Sequence, residues 1–363
     1  MRRLVAPLVL VASPVLAACT APRTTPAPAP PPAGAAPGAA ATHLVVLNKG
    51  EASASLLELA SGRVVATMPV GDGPHEVAAR ADGRVAVATD YGTGPAPGRT
   101  LTVLDLVGRR ALRTIDLGRH RRPHGIAWLP DGRRVVVTVE ADSAVLVVDV
   151  ERGVVERALR TDQAGTHMLV VAPDGGRLWT ANLGSGSVTL LDLVRGTRVR
   201  TVTTGRFPEA MDLAPDGRTL WVADRVLEKV TRLDAATLDT LDSRPTGRFP
   251  NRLKFTPDGR TALVSNAQSS TVGLYAVDGF RADGSIAIPL DSALARPQML
   301  GAQLRGSAVP LGIVVEATGA RAWVALAAMD RIAEVDLRTR TVTRLLAAGR
   351  EPDGMALVTL PAR

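Results

Sequence analysis

Gly205-Arg206-Phe207-Pro208 leads through the apolar run Ala210-Met211-Asp212-Leu213-Ala214 to Pro215-Asp216-Gly217, and 42 residues later Gly247-Arg248-Phe249-Pro250 leads in the same way to Pro257-Asp258-Gly259. A fixed period of this kind decides the architecture before any local propensity is read. Aligning on the proline places equivalents at Pro74, Pro123, Thr166, Pro208, Pro250, Pro310 and Pro352, with spacings of 49, 43, 42, 42, 60 and 42. Each unit contains four short apolar runs divided by turn residues, which is the length and punctuation of strands. Four strands per period of about 42 predict an all-β fold, a seven-bladed β-propeller. The first unit starts late, because His43-Leu44-Val45-Val46-Leu47-Asn48 matches a second strand. Residues Asp353 to Leu360 follow Pro352 as a first strand would, so the C-terminal strand is expected to join blade 1 and close the ring, leaving no open sheet edge.

The turn chemistry agrees. Asp82-Gly83, Asp131-Gly132, Asp174-Gly175, Asp216-Gly217 and Asp258-Gly259 recur at one repeat position, where glycine supplies a positive φ between the first and second strands. Trp179, Trp221 and Trp323 share one position in the second strand and are expected to pack between sheets. Asp105, Asp149, Asp192, Asp234 and Asp336 recur where the third strand ends, as turn caps.

The Gly-x-x-Pro and Pro-Asp-Gly motifs, with Leu178-Trp179-Thr180-Ala181-Asn182, resemble the YVTN-repeat, YncE-like family of bacterial seven-bladed propellers over residues 42–363. Similar repeats occur in surface-layer proteins and in the haem d1 domains of nitrite reductases. The resemblance implies the fold, a periplasmic location and, by association with YncE, DNA binding; it is specific for fold and not for chemistry.

Ahead of the repeats, Met1 to Ala18 has the form of a signal peptide: Arg2 and Arg3, an apolar stretch, then small residues. Leu16-Ala17-Ala18-Cys19 resembles the lipobox of bacterial lipoproteins, which implies acylation of Cys19 and a membrane partner through the lipid. Residues 19–41 continue as a Pro/Ala-rich tether. The expectation is an exported lipoprotein in the periplasm or at the cell surface. Cys19 is the chain's only cysteine, which excludes a disulfide framework and a thiolate metal cluster within one chain. A net charge of +8, or +6 once Arg2 and Arg3 are removed, is carried almost wholly by arginine dispersed along the repeats. It is weak support for a nucleic-acid partner. A monomer is expected.

In a propeller, the starts of first strands and the ends of second strands surround one mouth of the central channel. The residue after each aligned position is His75, His124, His167, Glu209, Asn251, Leu311 or Asp353, so three of the five histidines fall on consecutive blades with a glutamate next. Imidazoles and a carboxylate that converge can hold a divalent metal with a position open to water or substrate, and His75, His124, His167 and Glu209 are the candidate ligands. The same residues also serve as plain channel lining, or as ligands to a haem or other cofactor. Glu209 and Asp353 are candidate general bases. Second-strand ends add Asn48, Asp90, Asn182, Asp224 and Asn266 as rim candidates for ligand binding, with Val139 and Leu326 interrupting the series.

Two insertions bear on the mouth. Asp90 to Arg99 lengthens blade 2 and should overhang it; about eighteen extra residues within Asp278 to Val309 form either a lid or a surface loop. Arg119-His120-Arg121-Arg122, just before Pro123, reads as a solvated basic loop because no aromatic residue is interleaved with it. The functional expectation is a binding scaffold whose channel mouth takes a small molecule or a protein, with or without a metal. The alternatives are a metal-dependent, lactonase-like hydrolase or lyase on the histidine cluster, and YncE-like DNA binding.

Overall fold

The computed structural model describes residues 41–297 and 301–361, all within one unit, Gly38–Arg363. The signal peptide, Cys19 and nearly all of the tether lie outside the described residues. These residues form seven four-stranded antiparallel sheets. Blade 1 pairs Pro352–Leu360 with Ala41–Asn48, then continues through Ser53–Glu58 and Arg63–Pro69. The register Ala41↔Leu360 to Asn48↔Pro352 joins the first and last of the described strands, and the predicted closure is therefore present. The innermost strands of blades 2 to 7 begin at Pro74, Pro123, Thr166, Pro208, Pro250 and Pro310, the aligned positions of the repeat.

Seven apolar clusters hold the described ring, one between each pair of neighbouring blades. Leu178 packs on blade 3 with Val136 and Leu159, while the next residue, Trp179, packs on blade 5 with Leu220 and Val222. Opposite faces for successive residues follow from the period of two in a strand. Trp179, Trp221 and Trp323 are buried between sheets as expected. Trp179 donates Nε1–H to Ala235 O at 2.9 Å across the blade junction, and Trp221 meets Phe255 and Phe280 edge to face.

The repeated polar residues have the expected structural roles. Asp105, Asp149, Asp192 and Asp336 each accept a backbone N–H three residues on, and Asp234 accepts those of Ala236 and Thr237. Gly83, Gly132, Gly175, Gly217 and Gly259 all have φ between +63° and +71°.

Innermost strands converge at the channel, and there side-chain volume is limiting. A Cβ on Gly354 would lie 2.2 Å from His75 O of the adjacent blade. Gly217 sits in open space at φ +70°. Gly354→Ala is therefore expected to lower unfolding stability by about 2 kcal/mol through overpacking, and Gly217→Ala by about 1 kcal/mol through backbone strain alone. Chemical denaturation of the two variants checks the order; equal losses would mean that the channel wall yields freely.

Candidate functional site

Each innermost strand starts with a register irregularity. In blade 5 Pro208 faces Asp224 and Ala210 faces Ala223, so Glu209 is left out of the ladder. Comparable irregularities occur at the starts of the other six innermost strands. A bulge of this kind re-aims a side chain away from its sheet. All seven residues at the position after the aligned one line a single mouth cavity of about 180 Å³. Among the described residues, larger hollows lie beside the blade 6 insertion and between blades 6 and 7, and neither of these is lined by converging buried polar groups.

The histidines form a column. His75 and His124 have ring centroids 5.0 Å apart, and His124 and His167 are 3.7 Å apart. His75 donates Nδ1–H to Gly73 O at 2.8 Å, which leaves Nε2 with its lone pair. His124 Nδ1 is buried without a partner. His167 lies between two carboxylates: Nδ1 bonds Glu140 Oε1, and Nε2 is 3.3 Å from Glu209 Oε1. Burial opposes a charge on all three rings. In His75 burial, aided by the Lys49 charge, pushes the pKa down to about 3, and His124 is also held well below its usual range. In His167 burial is outweighed by Glu209 and Glu140, which lift the imidazole to about 9.

The ligand-capable atoms that converge belong to His124, Glu140 and His167, all within 4.8 Å of one another. His75 and Glu209 stand outside that group. Glu209 is instead held by Arg225 Nη1 at 2.8 Å and Asn251 Nδ2 at 3.1 Å; burial resists its charge, but His167 and the two arginines Arg225 and Arg252 bring its pKa down to about 2. Asp353 takes Lys49 Nζ at 2.8 Å, and Lys49 with Arg252 overcomes burial to hold it near about 2. Arg252 reaches from blade 6 to bond Glu76 of blade 2, and both residues also line a second cavity of about 130 Å³ further down the channel. The mouth is thus a cup with an ion-paired floor.

The polar residues at second-strand ends prove to be internal ties. Asp224 accepts four backbone N–H groups, from Arg206, Phe207, Val226 and Leu227. Asn182 Nδ2 donates to Ser187 and Thr189, Asn48 Nδ2 to Ser53 and Ser55, and Asn266 Nδ2 to Thr271. Asp90 accepts Gly71 N–H and the hydroxyls of Thr100 and Thr102. The groups that reach the mouth come one residue later: Lys49, Tyr91, Glu140, Leu183 and Arg225. Glu140 follows Val139, where the polar series had broken, and Tyr91 lies in the blade 2 insertion, which does overhang the cavity. Tyr91 donates its hydroxyl to Glu140 Oε2 at 2.6 Å, and the Arg122 guanidinium lies 4.9 Å from its ring centroid. Reading this next column across the blades would have found all five.

The blade 6 insertion follows the outer strand Arg281–Ala287. Leu304 and Ala308 are buried in the core between blades 6 and 7, Ala308 N–H donates to Ser270 Oγ, and Arg296 N–H donates to Ala328 O. Among the described residues, none of the insertion lines the mouth cavity.

Residues 121–285 match the family model described as Lactonase, 7-bladed beta-propeller. No curated protein matches the sequence. Among solved structures, the chain is similar to hydrazine synthase of Kuenenia stuttgartiensis, with a TM-score of 0.63 and 17% identity over 80% of this chain and 96% of that one. It is also similar to a functionally unknown protein from Desulfotomaculum acetoxidans, with a TM-score of 0.70 and 14% identity over 87% and 98%. Identities this low speak for the propeller fold alone.

Burial drives the pKa of Asp90 up, to about 6 against 3.8 for a free group, despite its hydrogen bonds. A raised carboxylate pKa means that the native state binds more protons than the unfolded one between those two values. Stability from this group is accordingly present at low pH and lost as pH climbs from about 4 to about 6. Asparagine already occupies the equivalent place in blades 1, 4 and 6, where its Nδ2 donates to hydroxyls of the third strand. Asp90→Asn should therefore fold, should be at least as stable as the parent at pH 7, and should lose that part of the pH dependence. Denaturation midpoints at pH 4 and pH 7 measure it; an unchanged pH slope would remove Asp90 as its source.

Proposed function

We propose that this chain is a lipid-anchored binding module that holds a divalent transition-metal ion at the mouth of its channel, with His124, Glu140 and His167 as ligands. The observation that supports this reading most is the convergence of those three donor atoms within 4.8 Å of one another. Two imidazoles and one carboxylate form a set that suits Zn²⁺ or Fe²⁺ and leaves coordination positions open. Glu209 suits an outer role: a carboxylate on the far nitrogen of a liganding histidine fixes ring orientation and raises basicity. Its own bonds to Arg225 and Asn251 hold it in place for that purpose.

The family-model match favours a second reading, hydrolysis of a lactone at the same mouth. Glu209 and Asp353 are poorly suited to be its general base, because carboxylates held near about 2 by neighbouring cations take up protons reluctantly. Such an activity would have to draw on the metal centre.

The mature chain, stripped of metal and dialysed against Zn²⁺, Co²⁺, Ni²⁺ or Cu²⁺, is expected to retain one ion per molecule by elemental analysis. Glu140→Ala and His167→Ala should fall to background, and Glu209→Gln should weaken binding by about 10- to 100-fold. A parent protein that retains none of the four ions sinks the metal reading. Separately, Cys19→Ser should abolish incorporation of labelled fatty acid in a bacterial host; continued labelling would place the anchor elsewhere.

A further inference from the structure

All three ligands of the proposed metal come from one side of the mouth: His124 and Glu140 from blade 3, His167 from blade 4. A ligand in the open coordination positions that reaches across the mouth meets Asp353 and Arg252, on blades 1 and 6. Asp353 binds Lys49 through Oδ2, while its buried Oδ1 stands 3.6 Å from Arg252 Nη2 and accepts no hydrogen bond; Arg252 engages Glu76 and Asn251 through its terminal nitrogens, while its buried Nε donates none. An acceptor and a donor left without hydrogen bonds on one buried wall call for a partner that carries both functions.

Charge and size narrow that partner. Asp353 is matched by Lys49, Glu209 by Arg225 and Glu76 by Arg252; with His167 neutral as a metal ligand, Glu140 alone is left to offset a dication. A bound dication leaves one positive charge in excess, which a monoanion neutralises and a zwitterion does not. The cavity of about 180 Å³ corresponds to about six water volumes at roughly 30 Å³ each, and the Glu76–Arg252 floor prevents a ligand from extending down the channel.

We propose that the mouth is a binding site for a small 2-hydroxycarboxylate, chelated to the metal through its hydroxyl and carboxylate oxygens, with its hydroxyl donating a hydrogen bond to Asp353 Oδ1 and its carboxylate facing Arg252 Nε. The inference rests on the metal reading above. The chemistry of recognition is the adjacent hydroxyl: a simple carboxylate of the same charge cannot form the chelate or supply the hydrogen bond to Asp353.

The test uses the Co²⁺-loaded mature chain, whose visible absorption reports ligands that enter the metal's coordination sphere. Titration with glycolate should perturb the spectrum at a concentration about tenfold or more below that required for acetate or glycine. Asp353→Asn, with Co²⁺ retained, should remove the hydrogen bond's share of the preference and narrow the gap between glycolate and acetate by about threefold or more; the comparison on the parent protein decides the matter if that variant fails to fold. Co²⁺ uptake with equal responses to glycolate and acetate, or with no response to either, overturns this inference and leaves the metal reading standing. Failure to take up Co²⁺ overturns both.

Discussion

A four-stranded blade has two apolar faces and nothing of its own to cover them. Every other feature of this molecule depends on how that burial is satisfied: each sheet covers the next, and the last must cover the first. The pairing of Pro352–Leu360 with Ala41–Asn48 makes the final junction equivalent to the other six, so that Trp323 is packed against Leu44, Val46 and Leu57 of blade 1 as Trp179 is packed against blade 5. Burial is thereby completed around a circle. The starts of the innermost strands are brought together at the axis, where the bulges turn their side chains into one cup.

The contents of that cup do not resemble a device for stability. Lys49, His167, Glu209, Arg252 and Asp353 are ionisable and buried, and Glu76 and Glu140 are largely shielded beside them. Removing such groups from water costs several kcal/mol per ion, and even well-made pairs often recover no more than this. An apolar plug would close the channel with less difficulty, as Leu311 does at its own position. Ordered charge at the axis with unsatisfied atoms on His124, Arg252 and Asp353 is better matched to holding something. The stability of the ring resides in the seven apolar junctions, and these leave the axis free to differ from blade to blade.

The repeat made much of this readable. Equivalence across blades separated the carboxylates that cap turns, Asp105 and its counterparts, from residues with no repeated task, and it placed the histidine column at the mouth. It failed by one residue at the second-strand ends. Asp90, Asn182, Asp224 and Asn266 are polar and recurrent because they hold neighbouring segments in place, Asp90 and Asp224 the loop entering their blade, Asn182 and Asn266 the start of the third strand. Lys49, Tyr91, Glu140 and Arg225, which reach the cavity, differ from one another and thus show no pattern in a repeat alignment. Lys49, Glu140 and Arg225 stand one residue past the end of the second strand, outside its period of two. A column chosen for its regularity was therefore the structural one.

By itself the sequence determined the number of blades, the strand that closes them, the turns, and the ring of residues facing the channel, because period and alternation are local properties of the chain. Only the tertiary structure decided which of those residues act together. His75 and Glu209 share the repeat position of His124 and His167, yet the donor atoms that meet are those of His124, Glu140 and His167. Arg252 crosses from blade 6 to Glu76 on blade 2, 176 residues away in the chain. Distances of that kind are set by the diameter of the closed ring and by the reach of individual side chains, and neither is written in a period of 42 residues.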